Sequence, residues 1–213
     1  MKILGLDLST HSGYAIIEGG RLSNYGIIEK KPKQTIYDGA PQEYFFIYQG
    51  HYIADQIDQL ITSEKPNFIY IEQTNQGRNR TTQKELEFIH CIVLEHLAKI
   101  VDDPSVIRFV NTSTWRPQLG IRLNKTQKKH NKTRKSSSNA SIITGDYGVT
   151  MSVRGRITVK HLSVLYANGK YNLSLKLKDN DIADAICIAQ YGFERETDLI
   201  NFCAPNADCL FDK

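Results

Sequence analysis

The sequence predicts an α/β protein in which a meander of three antiparallel strands is followed by alternating helices and strands. Short apolar runs open the chain and recur later, and a glycine pair joins two of the first runs. Longer segments between the later runs carry apolar residues at helical spacing. The 213 residues, 40% of them hydrophobic, suit one globular domain with an insertion.

The first strands follow from the opening residues. Residues 3–7 form a short apolar run that ends on Asp7, and residues 14–18 and 22–29 form two further runs joined by Gly19-Gly20. A glycine pair favours a tight hairpin turn, so an antiparallel meander is predicted. A carboxylate in a buried strand needs a counter-charge, a hydrogen bond or a metal, although Asp7 could also simply cap the following turn.

The later elements are predicted from periodicity and from their end signals. Strands are expected at residues 67–72 and 105–110, and helices at 43–63, 81–101, 157–168 and 179–191, with a helix start capped by Ser113 or Thr114. Residues 123–141 lack apolar periodicity and are rich in Lys, Asn and Ser, which is typical of a mobile linker or insertion. Residues 142–156 have only weak strand or turn character.

The charge distribution suggests a polyanionic partner. The net charge is only +4, but Asp146 is the single acidic residue between Asp103 and Asp179, a segment that is rich in Lys and Arg. Such a patch attracts nucleic acid, although a solvated basic loop without a ligand is the alternative. No apolar run approaches the roughly 20 residues of a membrane span, and no signal peptide is recognised.

Cysteine and histidine patterns argue against zinc or disulfide frameworks. The four cysteines form no CxxC pair, so buried free thiols in a reducing cytosol are expected, two of them within apolar helical runs. The six histidines form no HxxxH or HxH pair, which makes histidine metal ligation improbable.

Four carboxylates stand at the ends of predicted elements. Asp7 and Glu72 end strands, while Asp181 and Asp184 are three residues apart at a helix start. The order of elements can bring all four to one edge of a sheet, where hard oxygen ligands could hold two Mg²⁺ ions for phosphodiester hydrolysis. Asp181 and Asp184 could alternatively do no more than complement the dipole of their helix.

The three acidic segments resemble those of RuvC-type Holliday junction resolvases, within the RNase H-like nuclease superfamily. The matching segments are MKILGLDLSTHSGYAII, IYIEQ and DNDIADAICIA, and the resemblance extends from Met1 to about Tyr191 outside the insertion. STWRPQLG and the run from Val159 to Ile186 are more similar to phage and other viral members. The resemblance implies an RNase H-like domain over residues 1–195, with a basic insertion at about 120–156 and a tail over 196–213.

The resemblance also implies the activity and the site. A homodimeric endonuclease would nick opposed strands of a four-way DNA junction, with two Mg²⁺ ions that Mn²⁺ can replace and no nucleotide cofactor. Asp7, Glu72, Asp181 and Asp184 would be the catalytic metal ligands, with Asp181 or Asp184 orienting water and Lys160 beside the scissile phosphate. The helix over residues 81–101 would form the dimer contact. The residues expected to bind DNA are Arg78, Arg80, Arg116, Lys125, Lys128, Lys129, Lys132, Arg134 and Lys135.

Other functions stay open on the sequence alone. One is a branched-DNA or RNA-DNA hybrid nuclease with the same site chemistry, and another is a junction-binding protein without catalysis. An ATP-binding protein of the actin and sugar kinase superfamily has a similar first motif but needs a second glycine-rich motif that this chain lacks. The expected location is the cytoplasm, or the host cytoplasm if the protein is viral.

Overall fold

A computed structural model describes residues 1–28, 39–74, 79–133 and 140–203. Its centre is a five-stranded mixed sheet with strand order β3-β2-β1-β4-β5, and a separate hairpin, β6-β7, lies later in the chain. The strands are β1 (Lys2–Asp7), β2 (Ser12–Glu18), β3 (Arg21–Ile28), β4 (Phe68–Glu72), β5 (Ile107–Val110), β6 (Ala140–Thr144) and β7 (Thr150–Arg154). The helices are α1 (Gln42–Glu64), α2 (Arg80–Ile100), α3 (Thr112–Gln118), α4 (Lys125–Thr133), α5 (Val159–Tyr171) and α6 (Asn180–Cys203).

The sheet confirms the predicted α/β class. β1, β2 and β3 form the expected antiparallel meander, and Gly19 and Gly20 at its hairpin turn both have positive φ angles, which explains the glycine pair. β4 and β5 then add in parallel, each after a crossover helix. Glu29, the expected end of the third strand, lies outside the described residues.

Alternation along the central strands separates two cores. Leu4 and Leu6 of β1 and Ile69 and Ile71 of β4 pack with α1 and α2 on one face. Ile3 and Tyr70 point to the opposite face and pack with α3, α5 and α6. Asp7 lies four residues after Ile3 in β1, and Glu72 lies two residues after Tyr70 in β4. Both side chains therefore lie on the same face as Ile3 and Tyr70, which is the α6 face of the sheet.

Helix α6 lies against the strands at backbone contact distance. A Cβ atom placed on Gly5 would lie 2.5 Å from the Ala185 carbonyl oxygen and 2.5 Å from the Ala189 amide nitrogen. One placed on Gly13 would lie 2.0 Å from the Asp181 carbonyl oxygen. The two glycines therefore let the helix approach β1 and β2 more closely than any side chain would permit.

The middle of the chain differs from the sequence prediction of a mobile linker. Residues 125–133 form α4, whose first turn is stabilised by reciprocal hydrogen bonds between Asn124 and Gln127 of 2.8 and 2.9 Å. Asn131 ties the helix to both backbone groups of Ile157. The helix buries no residue, so it has no apolar periodicity to reveal it. Residues 140–154 form the β6-β7 hairpin, whose Ile143 and Val153 pack with α5.

Several helix boundaries also differ from expectation: α5, expected at 157–168, spans Val159–Tyr171, and the larger differences are at α3 and α6. The cap of α3 is Asn111, whose side-chain oxygen accepts from the Ser113 amide at 2.9 Å, and not Ser113 or Thr114. Helix α6 continues to Cys203 through the first part of the expected tail. There Glu196 is buried and accepts a 2.6 Å hydrogen bond from the Tyr70 hydroxyl.

The two cysteines whose surroundings are described are both free. Cys187 is buried in the α6 core, as expected for a thiol in an apolar helix, but Cys91 is exposed on α2. The expectation of buried thiols is therefore wrong for Cys91. Within the described ranges, no helix is both long and apolar enough to cross a membrane.

Replacing Gly5 with Ala should destabilise the protein. The added methyl group would overlap backbone atoms of α6 that cannot move without shifting the helix, and overpacking of this kind costs about 1–3 kcal/mol. Urea unfolding monitored by circular dichroism would measure the loss. Gly26→Ala is a matched control, because the atoms nearest to its Cβ would belong to the Tyr14 side chain, the first at 2.9 Å, and a side chain has more freedom to adjust than the helix backbone. Equal effects of the two substitutions would contradict the proposed role of Gly5.

Candidate active site

The four predicted carboxylates come from three elements that meet at one edge of the sheet. Asp7 ends β1 and Glu72 ends the neighbouring parallel strand β4, where Leu6 and Ile71 are register partners. Asp181 and Asp184 lie at the start of α6, which Gly13 holds close to the β1-β2 turn. Asp184 is only 3% exposed. The fold therefore brings together residues that are more than 170 positions apart.

Helix α3 supplies hydrogen-bond donors to two of these carboxylates. The indole Nε1 of Trp115 donates to Glu72 Oε2 at 3.0 Å, and Trp115 itself is fully buried. Arg116 Nη2 donates to Asp184 Oδ2 at 3.0 Å, and its guanidinium lies 4.7 Å from the centre of the Trp115 ring. Two consecutive residues therefore hold carboxylates of two different elements in place.

Lys160 approaches the site from α5. Its Nζ lies 3.7 Å from Asp181 Oδ1 and also donates to the Asn180 side chain. About half of the Lys160 side chain is exposed, as is about a quarter of the Asp181 side chain. This pair therefore forms the solvent-facing side of the site, whereas Glu72 and Asp184 form the inner side.

Burial and mutual repulsion shift the proton affinities of the inner carboxylates. Burial raises the pKa of Asp7 well above its ordinary value, and the negative charges of Glu72 and Asp184 raise it further. Burial also raises the pKa of Glu72 to about 7, although the positive charge of Arg116 opposes the shift. The pKa of Asp184 is raised by burial too, again against Arg116. The inner carboxylates therefore repel one another when all of them are ionised.

A divalent cation fits the chemistry of this donor set. Carboxylate oxygens are the ligands that Mg²⁺ prefers, and a cation would relieve the repulsion that raises these pKa values. Asp184 Oδ1 is buried and makes no hydrogen bond of good geometry with a described residue, although the Ser163 hydroxyl lies near enough to act on the Asp184 pKa and oppose its rise.

The carboxylates are not gathered into a tight ligand cluster, however. Within the described ranges, one group of three potential ligand atoms lies within 4.8 Å of one another, and it is found elsewhere, on α1 and α2. At the sheet edge, Glu72, Asp181 and Asp184 are instead paired with Trp115, Lys160 and Arg116 respectively.

The residues expected to bind DNA fall into two settings. Lys125, Lys128, Lys129 and Lys132 are all exposed on α4, and their spacing of three and four residues places them along one side of the helix. Arg80 is exposed at the start of α2. Arg116 is largely buried in the carboxylate site, where it pairs with Asp184. Arg78, Arg134 and Lys135 lie outside the described residues.

Sequence reasoning missed the part that Trp115 plays in the site. The sequence predicts a core or helix-docking position for it, with stacking on a nucleic-acid base as the alternative. The structure confirms the burial of Trp115, and its indole also donates to Glu72. The available signal was the position of the Trp115-Arg116 pair at the start of the helix after β5. The carboxyl end of that parallel strand lies at the same sheet edge as the ends of β1 and β4.

Substitution of Glu72 by Gln should stabilise the metal-free protein at alkaline pH. Because the folded state binds the Glu72 proton more tightly than the unfolded state, the free energy of unfolding falls as pH rises from about 4.5 to 7. Gln mimics the protonated form and keeps an acceptor for Trp115. At pH 8 with chelator the variant should be more stable by about 1–3 kcal/mol, and the difference should vanish near pH 4.

Urea unfolding at both pH values would measure this difference. Glu87→Gln, at an exposed position on α2, is the matched control and should change little at either pH. A Glu72→Gln variant that is less stable than the wild type at pH 8 would mean that the negative charge of Glu72 stabilises the fold.

Comparisons with known proteins place the chain in a known fold. No family model and no curated protein matches the sequence. Among solved structures, RuvC of T. thermophilus in complex with a Holliday junction substrate matches with a TM-score of 0.58 and 13% identity, over 92% of this chain and 96% of that chain. The yeast mitochondrial Holliday junction resolvase Ydc2 matches with a TM-score of 0.55 and 14% identity, over 95% and 83%. The predicted RNase H-like architecture, with the RuvC arrangement of strands and helices, is therefore confirmed at the level of the fold.

Proposed function

We propose that the protein is a metal-dependent, structure-specific DNA endonuclease that resolves four-way junctions by paired nicking. The observation that carries the proposal is the convergence of Asp7, Glu72 and Asp184 at one sheet edge, with cationic side chains beside them. The fold is shared with RuvC, whose structure was solved with a Holliday junction substrate, and with Ydc2, a Holliday junction resolvase. This likeness supports four-way junctions as the substrate. The similarity of the sequence to phage and viral members stays a prediction.

In this proposal, Asp7, Glu72, Asp181 and Asp184 hold two Mg²⁺ ions, for which Mn²⁺ can substitute. When bound, such ions activate water and stabilise the leaving oxygen in phosphodiester hydrolysis. Hard oxygen donors and raised carboxylate pKa values both favour divalent cations here.

The neighbouring residues have separate tasks in this proposal. Trp115 orients the Glu72 carboxylate, because the indole is fully buried and its hydrogen bond fixes one of the two oxygens. Arg116 holds Asp184 in place through their hydrogen bond, and its positive charge favours the ionised form of the carboxylate against the effect of burial. Lys160, at the exposed side of the site, can attract the phosphate that is to be cut and partly neutralise its charge.

The lysines of α4 hold the DNA backbone outside the cutting site. All four are exposed, α4 contains no acidic residue, and none of the four forms an ion pair with a described residue. Lys and Arg contacts of this kind position a duplex without reading its sequence. A homodimer formed through α2 belongs to the same proposal, because two opposed nicks require two sites.

Cleavage of a labelled four-way junction tests the proposal. With Mg²⁺, the wild type should introduce symmetric nicks, and Asp7→Asn, Glu72→Gln and Asp184→Asn should each reduce the rate at least about 100-fold, the effect of removing a group that acts in the transition state. Chelation of the metal should abolish cleavage. Asp102→Asn, an exposed carboxylate just after α2, is the matched control and should leave the rate unchanged.

Other substrates separate this function from its alternatives. Linear duplex, flap and RNA-DNA hybrid should be cut much more slowly than the junction. Preferred cleavage of the hybrid would identify a different nuclease of this fold, and tight junction binding without cleavage in any divalent metal would identify a binding protein. Light scattering with and without DNA should give the mass of a dimer, and a monomer mass in both states would contradict paired nicking.

Replacing any one of the α4 lysines should lower the affinity for DNA and should also make that affinity less sensitive to salt concentration. Each lysine that contacts a phosphate should lower the slope of log affinity against log salt by about one unit. Fluorescence anisotropy with a labelled junction in chelator, at several salt concentrations, would measure the slope for Lys125→Ala, Lys128→Ala, Lys129→Ala and Lys132→Ala.

Lys99→Ala removes the same charge in the last turn of α2, where Lys99 pairs with Glu95, and serves as the control. It should leave the slope unchanged. Equal slopes for all five variants would exclude α4 from the DNA interface, while the cleavage test above would remain informative about the carboxylate site.

A further inference from the structure

A second cluster of ligand-type side chains joins α1 to α2. His51, Asp55 and Asp58 are spaced by four and three residues and therefore face the same side of α1, where they meet His96 of α2. These two helices cover the face of the sheet formed by Leu4 and its neighbours, whereas Asp7 and Glu72 lie on the α6 face. The sheet therefore separates this cluster from the candidate active site.

The central member of the cluster is the His96 imidazole. Its Nδ1 atom lies 2.7 Å from Asp58 Oδ2 and 3.9 Å from Asp55 Oδ1. One atom of each of these three residues lies within 4.8 Å of the other two. The Nε2 atom of His96 is 3.1 Å from Nδ1 of His51. The His96 side chain is only 14% exposed, so its ring is held between the two helices.

Two further observations favour a bound cation over a purely hydrogen-bonded group. Asp58 Oδ1 is buried and has no hydrogen-bond partner among the described residues, although it belongs to a carboxylate. Asp55 and Asp58 also present two negative charges to a single imidazole nitrogen, which can donate only one proton. A cation in contact with all three residues would satisfy both carboxylates at once.

The ligand types indicate which cation. Imidazole nitrogen is a good ligand for Zn²⁺ and related transition metals, whereas Mg²⁺ and Ca²⁺ prefer ligand sets made of oxygen. Zn²⁺ binds nitrogen and carboxylate oxygen at about 2.0–2.2 Å, so ligand atoms within 4.8 Å of one another need only small side-chain movements to reach one ion. Asp55 is well exposed, which gives the ion a path from solvent.

We propose that Asp55, Asp58 and His96 bind a divalent transition-metal ion of the Zn²⁺ class, with His51 orienting His96 through a hydrogen bond. In the metal-free form, His96 Nδ1-H donates to Asp58, and His51 Nδ1-H donates to His96 Nε2. When Nδ1 of His96 binds the ion, its ring proton resides on Nε2 and donates to His51 Nδ1. Each ring keeps one proton throughout. The hydrogen bond between the two rings reverses direction, so that the ligand His96 becomes the donor, as is typical of metal-bound histidines.

This site would fasten α1 to α2 and is independent of the proposed nuclease function. Its ligands come from both helices, so a bound ion would oppose their separation and stabilise the folded state in proportion to its occupancy. Three protein ligands also leave a coordination position for water.

Metal titration of the 213-residue chain tests the proposal. Isothermal titration with Zn²⁺, and visible absorption with Co²⁺ as a spectroscopic probe, are performed in excess Mg²⁺, which competes for the sheet-edge carboxylates. One equivalent should bind to the wild type and to Glu72→Gln, which is altered only at the candidate active site. Zn²⁺ about 100-fold above its Kd should raise the Tm by about 5–10 °C.

Variants of the cluster should lose this binding. His96→Gln and Asp58→Asn should weaken Zn²⁺ affinity at least about 100-fold, since even outer partners of a metal site contribute about 10- to 100-fold. Asp55→Asn, at an exposed position, should leave folding intact and provides the test of metal affinity if His96→Gln does not fold. His11→Gln, at an exposed turn, is the matched control.

The results that overturn the proposal are specific. Zn²⁺ binding that is unchanged in Asp55→Asn and Asp58→Asn would place the ion elsewhere. Binding that is lost in Glu72→Gln but retained in the cluster variants would assign it to the sheet-edge carboxylates. No Zn²⁺ binding by the wild type would leave the cluster as a hydrogen-bonded chain that joins the two helices.

Discussion

The close approach of α6 to the first two strands determines where the candidate site forms. Gly5 and Gly13 leave no side chain between the strands and the helix, and the facing residues Ala185 and Ala189 are small. This contact sets the depth of the helix start relative to the end of β1. A larger residue at either glycine would push Asp181 and Asp184 away from Asp7. The positions of the carboxylates therefore depend on how closely α6 packs against the strands.

Bringing the carboxylates together costs electrostatic free energy, and helix α3, which follows β5, offsets part of this cost. Carboxylates held together in a partly buried position repel one another and lose hydration, as the raised pKa values of Asp7 and Glu72 reflect. Trp115 and Arg116 lie on a single helix turn and contact two of these groups, while Lys160 contacts a third. The structure therefore compensates the acidic cluster with side chains drawn from α3 and α5.

The sequence was most informative where burial imposed a periodic pattern. The strands ending at Asp7 and Glu72, and the helix containing Asp181 and Asp184, are visible because apolar neighbours at regular spacing must face a core. Helix α4 could not be predicted in this way, since it buries no residue and depends on polar contacts made by Asn124 and Asn131. The Asn111 cap was missed because several neighbouring residues could fill the same role. The Asp55, Asp58 and His96 cluster crosses two helices, so a search for closely spaced histidines along the chain could not detect it.

The order in which the chain emerges during synthesis gives the α6 contact a further meaning. β1 is the first element and α6 the last one described, yet the two pack directly against each other at the centre of the molecule. Until residues 180–203 have left the ribosome, β1 and β2 lack the helix that packs on Gly5 and Gly13, and Asp7 and Glu72 stand without the two aspartates of α6. A nascent chain can pack α1 and α2 on the other face of the sheet earlier, but its acidic site is assembled only after α6 has emerged.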